Sequence, residues 1–251
     1  MNTQSSPSLS IITATYNSAK TVRNSIESVL SQTYNDYEIN IIDGSSSDKT
    51  LSLIKDYNDP RIKIFSEKDN GIFDALNKGI KKSNGKIIGF LHSDDSFADK
   101  FILENIHNNF ESNVHGVYGN LYYVSSNNSK KIIRNWISKP FKAASLKYGW
   151  MPPHPSLFLK KSVYEKHGNF NLKYKVSSDY DFIVRIFKDN NLSFKYIPHT
   201  ITNMKLGGNS NRDLKNIIIK LKEDYKIIKK NDIGGINTLL LKNFSKISQF
   251  F

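Results

Sequence analysis

The chain has no cysteine among its 251 residues, which excludes disulfides, thiolate metal sites and cysteine nucleophiles together. Catalysis must therefore draw on carboxylates, histidines or hydroxyls. No run approaches the ~20 consecutive apolar residues of a membrane span, and the opening MNTQSSPSLSIITATYN lacks the basic start and apolar core of a signal peptide. The expected location is the cytoplasm. Two phosphate-binding patterns are also missing: there is no GxxxxGK followed by Ser or Thr, and no GxGxxG after the first apolar run, which points away from the common ATPases and dehydrogenases. Acids are scarce. Twenty-three Asp and Glu face 36 Lys and Arg, a formal net charge of +13, and such an excess either solvates the surface or favours an anionic partner: nucleic acid, an acidic membrane or phosphorylated small molecules.

What remains is a globular composition, 38% hydrophobic and 24% charged, without a low-complexity tract. The length fits one domain with an appendage, or two small ones. LSIITATYN (Leu9 to Asn17), YEINIID (Tyr37 to Asp43), RIKIF (Arg61 to Phe65) and KIIGFL (Lys86 to Leu91) read as strands. Between them, SAKTVRNSIESVLSQTY, GSSSDKTLSLIKDY and GIFDALNKGIKKS carry helical apolar spacing, with Asp48 a plausible N-cap of the second. Strands alternating with helices predict a mostly parallel sheet covered on both faces.

Beyond Asp99 the alternation fades. FILENIHNNF and DYDFIVRIFKDN read as helices, GVYGNLYYV and KKIIRNWI as strands, and the proline cluster of WMPPHPS as irregular chain. LSFKYIP is expected as the last strand, LGGNSN as a loop, and the segment from Arg212 onward as a basic amphipathic helix followed by a second apolar and basic one.

In open α/β sheets ligands bind outside the carboxyl ends of the strands. Asp43, Asp69 and the pair Asp94 and Asp95 all fall at or just beyond such ends. Single acids there are often caps or turn residues, which is the better reading of Asp48. Two adjacent carboxylates are different, because they repel unless a cation or strong donors relieve them. Mg²⁺ is usually held by one or two carboxylates plus substrate phosphates, so the pair fits an open metal-nucleotide site.

Several segments taken in order are similar to the motifs of family 2 glycosyltransferases, inverting sugar-nucleotide enzymes. They are SIITATYNSAKTVRNSIESVLSQTY, IIDGSSSDKT, SEKDNGIFDALNKGIKKSNGKIIGFLHSDD, PPHPSLFLKKSVYEKHGNFN and SDYDFIVR, spanning about the first 210 residues. The resemblance implies a GT-A fold: α/β, Rossmann-like, with a mostly parallel central sheet, helices on both faces and a C-terminal helical tail. The catalytic domain would span 7–210 and the basic amphipathic tail 211–251. Thr15, Tyr16 and Asn17 match the motif that holds the nucleoside. Asp43 would accept a hydrogen bond from the base, Asp69 would line the same base and ribose pocket, Asp94 would lie near the ribose or sugar, and Asp95 would bind the Mg²⁺ or Mn²⁺ that bridges the diphosphate. Asp179, in SDYD, matches the general base. Gly44, Ser178 and His92 depart from the family pattern, and they leave donor specificity open.

The implied reaction moves a sugar, with inversion, from a nucleoside diphosphate sugar (UDP foremost) to a saccharide or lipid-linked saccharide acceptor in surface polysaccharide assembly. His154 reads either as an acceptor-site or metal-proximal ligand or as a shaper of its loop, and Trp150 either stacks on an acceptor sugar or is a half-buried aromatic. Gly207, Gly208 and Ser210 resemble a GGxS element that closes over the diphosphate, or form a plain loop. Asp181 is expected to stabilise its helix start, and His199 is a weak candidate third metal ligand. The basic tail fits a peripheral place on an anionic membrane surface, or a helical cap on the catalytic domain. Nucleic acid is not an expected partner, since acids cluster where a phosphate-binding face should be basic; a nucleotide-binding scaffold without catalysis is the other alternative.

Overall fold

The computed structural model describes residues 6–128, 131–206, 214–245 and 249. Its first half repeats strand and helix: β1 (Leu9–Thr15), α1 (Val22–Leu30), β2 (Tyr37–Asp43), α2 (Thr50–Lys55), β3 (Ile62–Ser66), α3 (Ile72–Lys82) and β4 (Ile87–Phe90). Strands β1, β2 and β4 are buried along their whole lengths, as unbroken apolar runs require when helices cover both faces. Alternate residues of β1 supply the two faces. Leu9 and Ile11 join the core under α1, α2 and α4, whereas Ile12 and Ala14 join the core under α3, α5 and α6.

After β4 come β5 (Ser96–Phe97), α4 (Ile102–Asn108), β6 (Gly116–Val124), β7 (Ile132–Trp136), β8 (Leu157–Lys160), α5 (Lys161–His167), α6 (Ser178–Phe187), β9 (Phe194–Lys205), α7 (Leu214–Lys230) and α8 (Ile236–Phe244). The strand order is β3-β2-β1-β4-β8-β6-β9-β5, with β7 alongside β6. The first four strands are parallel. Beyond them β8 runs antiparallel to both β4 and β6, while β9 returns parallel to β6.

Three local expectations change. The proline cluster is not wholly irregular: 3-10 turns at Ala143–Tyr148 and His154–Ser156 lead into β8 and α5. The last strand does not stop at Pro198 but continues to Lys205. Proline cannot donate to a ladder, and the pairing with β6 skips from Tyr118↔Tyr196 to Asn120↔Thr200, so an irregularity carries Pro198 through. Asp48 does accept the amide of Thr50, at 2.9 Å, but one residue ahead of the position flanking α2.

The helices of the segment from 211 onward are packed, not free. Ile227, Ile228, Ile233 and Leu239 belong to the same core as α3, α5 and α6. Lys188 of the α6 terminus donates to the Asn231 carbonyl, and Thr238 donates to the Lys147 carbonyl at 2.8 Å.

A buried polar layer fixes the sheet at the end away from the acids. Glu38 accepts from Ser10, Asn40, Lys63 and both the backbone and side chain of Asn84. Burial alone would raise its pKa, but these donors outweigh it and hold it at about 2. A depressed carboxylate stabilises fully above its unfolded value of about 4.3, and that contribution is lost as pH falls through about 2. Glu38→Gln is therefore expected to cost about 1–3 kcal/mol at pH 7, with a smaller penalty at pH 3. Denaturant titrations at the two pH values check this; an equal penalty at both would contradict the ionic account.

Candidate functional site

Parallel alignment places the expected acids along one edge of the sheet. Thr15 pairs with Asp43 and Asp43 with Ser66 in the ladders of β1, β2 and β3, so these three strands end level with one another. β4 lies on the other side of β1 and runs out into His92, Ser93, Asp94 and Asp95.

Asp43 has none of its surface exposed. Its carboxylate accepts from Thr15 Oγ1 at 3.1 Å, Ser46 N at 3.0 Å, Ser66 Oγ at 2.7 Å and Ser46 Oγ. Burial works to raise its pKa, yet these donors bring it below the ordinary carboxylate value. A carboxylate offers about four acceptor positions, and all are engaged. The direct hydrogen bond to a base expected of Asp43 would displace one of them, so this acid ties three strand ends together.

Asn17 braces the same corner. Its side-chain carbonyl accepts the amides of Ser47 and Asp48, at 2.9 and 3.3 Å, and its own amide donates to Ser46 Oγ at 2.9 Å. Asn17 and Ser45 both adopt left-handed backbone, with φ of 49° and 62°, a conformation Asn tolerates better than Ser. The side chains that do reach the rim are Tyr16, 66% exposed, and Asp69, whose Oδ1 accepts the Gly71 amide at 2.9 Å. Gly44, the departure from the family pattern, lies directly beneath them. A Cβ there would meet Asp69 Oδ2 at 2.5 Å and Tyr16 Cδ2 at 3.4 Å, so the absence of a side chain makes room for Asp69.

The paired acids differ from each other. Asp94 is half-buried, whereas Asp95 is 1% exposed. One Asp95 oxygen accepts the Lys205 amide at 3.1 Å, and the other is buried without a hydrogen-bond partner. Burial, then the Asp94 charge, push Asp95 well above the usual carboxylate range, against the pull of Lys205. Lys205, at the end of β9, was not among the expected residues, because the strand was expected to stop at Pro198. Ser93 meets Ser18 Oγ at 2.8 Å, and Ser25 donates to the His92 carbonyl at 3.0 Å, so α1 and the turn before it hold this loop.

His154 and His92 flank the corner with rings 6.1 Å apart. Burial lowers the His154 pKa to about 3, helped by His92, and burial also lowers that of His92 against the opposing charge of Asp94. Both are neutral imidazoles at physiological pH. His154 Nε2 and His92 Nδ1 are buried and lack hydrogen-bond partners. Trp150 has a packing role: its ring meets Tyr118, Phe141 and Phe187 at 5.8, 5.1 and 5.3 Å. His199 pairs with Asp99 at 2.7 Å, and Asp181 bonds Arg185 at 3.0 Å within α6. The GGxS element at 207, 208 and 210 lies outside the described residues.

Asp179 stands in the first turn of α6 and accepts the Tyr180 amide at 2.8 Å. Burial raises its pKa, opposed by Lys242 and then Lys220. One residue links it to the corner of Asp94 and Asp95. Burial raises the phenol of Tyr123 on β6, Arg134 opposes that, and both Asp95 and Asp179 push it further up. Tyr123 therefore lies within electrostatic reach of both acids, although nothing in its tyrosine-rich strand had marked it. Arg134 covers its ring at 4.6 Å.

Among the described residues no cluster of three or more His, Asp or Glu side chains could enclose a metal alone. The orphaned, desolvated oxygen of Asp95 beside Asp94 nonetheless fits a hard divalent cation whose remaining ligands come from phosphate and water.

The family model for glycosyl transferase family 2 matches residues 10–176, and the chain belongs to this family; it is a glycosyltransferase. It is 29% identical over 213 residues to a PGL/p-HBAD biosynthesis glycosyltransferase of Mycobacterium bovis, covering 82% of this chain and 80% of that one. It is 31% identical over 194 residues to the Escherichia coli UDP-Glc:alpha-D-GlcNAc-diphosphoundecaprenol beta-1,3-glucosyltransferase WfgD, covering 74% and 72%. The fold is GT-A. The structure of S. aureus TarS 1-349 in complex with UDP-GlcNAc superposes with a TM-score of 0.69 at 16% identity, covering 94% of this chain and 72% of that one. The Pyrobaculum calidifontis mannosyltransferase PcManGT, in complex with GDP-Man and Mn²⁺, does so with a TM-score of 0.67 at 14% identity, covering 97% and 70%.

A carboxyl raised in the folded state binds its proton more tightly there, so its ionisation destabilises the ligand-free protein as pH rises above the unfolded value of about 3.9. Asp95→Asn is expected to raise the melting temperature of the ligand-free protein at pH 7, by about 2–4 °C per kcal/mol relieved, while removing the stabilisation given by Mn²⁺ with UDP. Thermal melts with and without these ligands check both effects. A variant that is less stable alone, or that keeps the full ligand shift, would overturn the assignment of Asp95.

Proposed function

We propose that the protein transfers a sugar, with inversion, from a UDP-sugar to a saccharide or lipid-linked saccharide acceptor during surface polysaccharide assembly. The observation that carries the reading is the buried, unpartnered Asp95 oxygen in the same electrostatic neighbourhood as Asp179. Leaving-group stabilisation and proton removal need two such groups around one sugar. The relatives support a nucleotide-sugar donor and a lipid-linked acceptor class, since the name of one specifies UDP-Glc and a diphosphoundecaprenol acceptor.

On this reading Tyr16 and Asp69 receive the base and ribose at the rim. Thr15, Asn17 and Asp43 hold the loops that form this pocket, and Asp94 faces the ribose or sugar. Asp95 would hold Mg²⁺ or Mn²⁺, which when bound neutralises charge on the departing diphosphate. Asp179 accepts the proton of the acceptor hydroxyl as its oxygen bonds the anomeric carbon. The bond from that carbon to the diphosphate oxygen breaks, and the nucleoside diphosphate leaves with the electron pair. A single displacement inverts the centre. A carboxylate of raised pKa is the stronger base for this step. His154 sits against Phe90, ring centres 5.2 Å apart, and borders the acceptor side as a neutral group.

The catalytic unit on this reading runs from residue 7 and includes the C-terminal helices. Their outer faces carry apolar stripes: Ile217, Ile218, Leu221 and Tyr225 on α7, and Ile236, Leu240, Leu241 and Phe244 on α8, each more than a third exposed. Exposed Lys222, Lys226, Lys229 and Lys230 lie beside the first. Among the described residues no helix is long and apolar enough to cross a membrane, and this combination instead suits a helix pair resting on an anionic bilayer.

Two measurements test these statements. Asp179→Asn is expected to lower kcat by about 10²–10⁴-fold while donor binding, read as thermal stabilisation by UDP-sugars with Mn²⁺ or Mg²⁺, is kept; full turnover by the variant would remove Asp179 from the role of base. Sedimentation with phosphatidylglycerol vesicles should carry the protein down at low salt and release it at high salt, with about 1 kcal/mol per contacting lysine. Recovery wholly in the supernatant at low salt contradicts membrane docking.

A further inference from the structure

The chain from Phe170 to Ser178, which leads into α6, contains no helix or strand, yet it is pinned at both ends by side chains from other elements. At the start, Asn77 of α3 accepts the Phe170 amide at 3.0 Å and donates to the Phe170 carbonyl at 2.9 Å. At the far end, the amides of Lys175, Val176 and Ser177 all donate to the carboxylate of Glu223 on α7, at 2.8, 3.0 and 2.9 Å. Lys175 meets one oxygen, and Val176 and Ser177 share the other. Successive amides turned toward one point form an anion-binding concavity. Here the anion is a side chain of the same protein, only 9% exposed.

The clamp bears directly on the turn that carries Asp179. Ser177 flanks α6 without capping it, and its hydroxyl is buried with no partner. Its carbonyl, however, accepts the Asp181 amide at 3.0 Å, so a residue held by Glu223 closes the first turn of the helix around Asp179. The immediate neighbours of the acid are fixed as well. Ser178 Oγ donates to the Asn171 carbonyl at 3.0 Å. The ammonium of Lys242 on α8, ion-paired with the buried Asp224 of α7, lies 3.6 Å from the centre of the Tyr180 ring. Ser177, Ser178 and Tyr180 are buried whereas Asp179 is half-buried, so of these four residues the acid is the one that emerges.

We propose that Glu223 is a positioning residue for the transfer step: by holding the amides of 175–177 it sets where the Asp179 carboxylate stands relative to the sugar. The assignment rests on the reading of Asp179 as the base. A catalytic group displaced by about 1 Å can cost about 100-fold in rate, and no bond other than these three ties α7 to the backbone of 175–177 among the described residues. Glu223→Ala removes the acceptor of all three amides. Glu223→Gln keeps the shape but offers one acceptor oxygen and turns an NH₂ donor toward the amides.

Two readouts on the full chain test this. Hydrogen exchange followed by mass spectrometry is expected to quicken across 175–181 in Glu223→Ala, with β1, β2 and β4 unchanged and with the thermal stabilisation by UDP and Mn²⁺ kept. Turnover, read as UDP release from UDP-glucose or UDP-N-acetylglucosamine with Mn²⁺, is expected to fall about 10–100-fold in kcat at unchanged KM for the donor, with a smaller fall in Glu223→Gln. Placed in Asp179→Asn, Glu223→Ala should cost nothing further, because a residue that acts through another has no effect once that other is gone. Should Glu223→Ala not fold, Glu223→Gln carries the same comparisons. Unaltered exchange across 175–181, loss of the UDP and Mn²⁺ stabilisation along with turnover, or an equal fall in kcat in the Asp179→Asn background overturns the proposal. The two failures are distinct: full turnover by Asp179→Asn removes the base, whereas quickened exchange with undiminished kcat removes Glu223 and leaves Asp179 in place.

Discussion

One desolvated carboxylate organises the site. Asp95 is buried beside a second acid, with one oxygen engaged by the Lys205 amide and the other by nothing, an arrangement that costs free energy in the ligand-free protein. It persists because the surroundings over-determine it. The sheet fixes the end of β4, Ser18 and Ser25 anchor the loop from the α1 side, and β9 supplies Lys205 from the other edge. The flanking imidazoles are neutral and do not relieve the charge. On the proposed reading a cation arriving with the substrate relieves it, so that binding of the diphosphate and discharge of this stored cost would be one event.

The same residue type does opposite work two strands away. Asp43 is as deeply buried as Asp95, but four donors from Thr15, Ser46 and Ser66 satisfy it, and its pKa is lowered, not raised. Environments that push like groups apart in proton affinity separate their roles. Asp43 is a brace among strand ends, Asp95 an acid with one buried oxygen left unpartnered, and Asp179 an acid on which burial and nearby cations act in opposite directions. Hydroxyls make this division possible. The serine-rich run from 45 to 47 and the serines at 66, 18 and 93 supply donors without adding charge.

The half of the fold from β1 to β4 was legible because its signals are local: buried parallel strands are continuous apolar runs, and α1 and α3 repeat apolar residues at helical spacing. The acids were legible for the same reason, since they follow those runs directly. Their partition was not. Nothing in the order of residues distinguishes Asp43, with its lone pairs filled, from Asp95, with one empty, because the deciding donors lie on neighbouring strands. β8 and α5 were hidden behind the prolines at 152, 153 and 155, and the far part of β9 behind Pro198, where a local rule about proline was overridden by the pairing with β6. In the C-terminal helices the apolar period was visible, but not which charges face inward. Nothing in the basic amphipathic pattern marks Glu223, Asp224 and Lys242 as buried.

Those helices have two working faces. On α7 the stripe Glu223, Asp224, Ile227 and Ile228 is buried toward α6, and the stripe Ile217, Ile218, Leu221 and Tyr225 faces outward. A helix with its side chains is only about 10–12 Å across. If the outer stripe rests on a bilayer, the first turn of α6 lies about one helix diameter from the lipid surface, with its orientation fixed by the Glu223 clamp and the Lys242 contact. A hydroxyl on a lipid-linked saccharide emerges from that same surface. On the proposed reading the element that docks the enzyme is also the element that holds the candidate base, and the distance between membrane and proton acceptor would be set by helix packing.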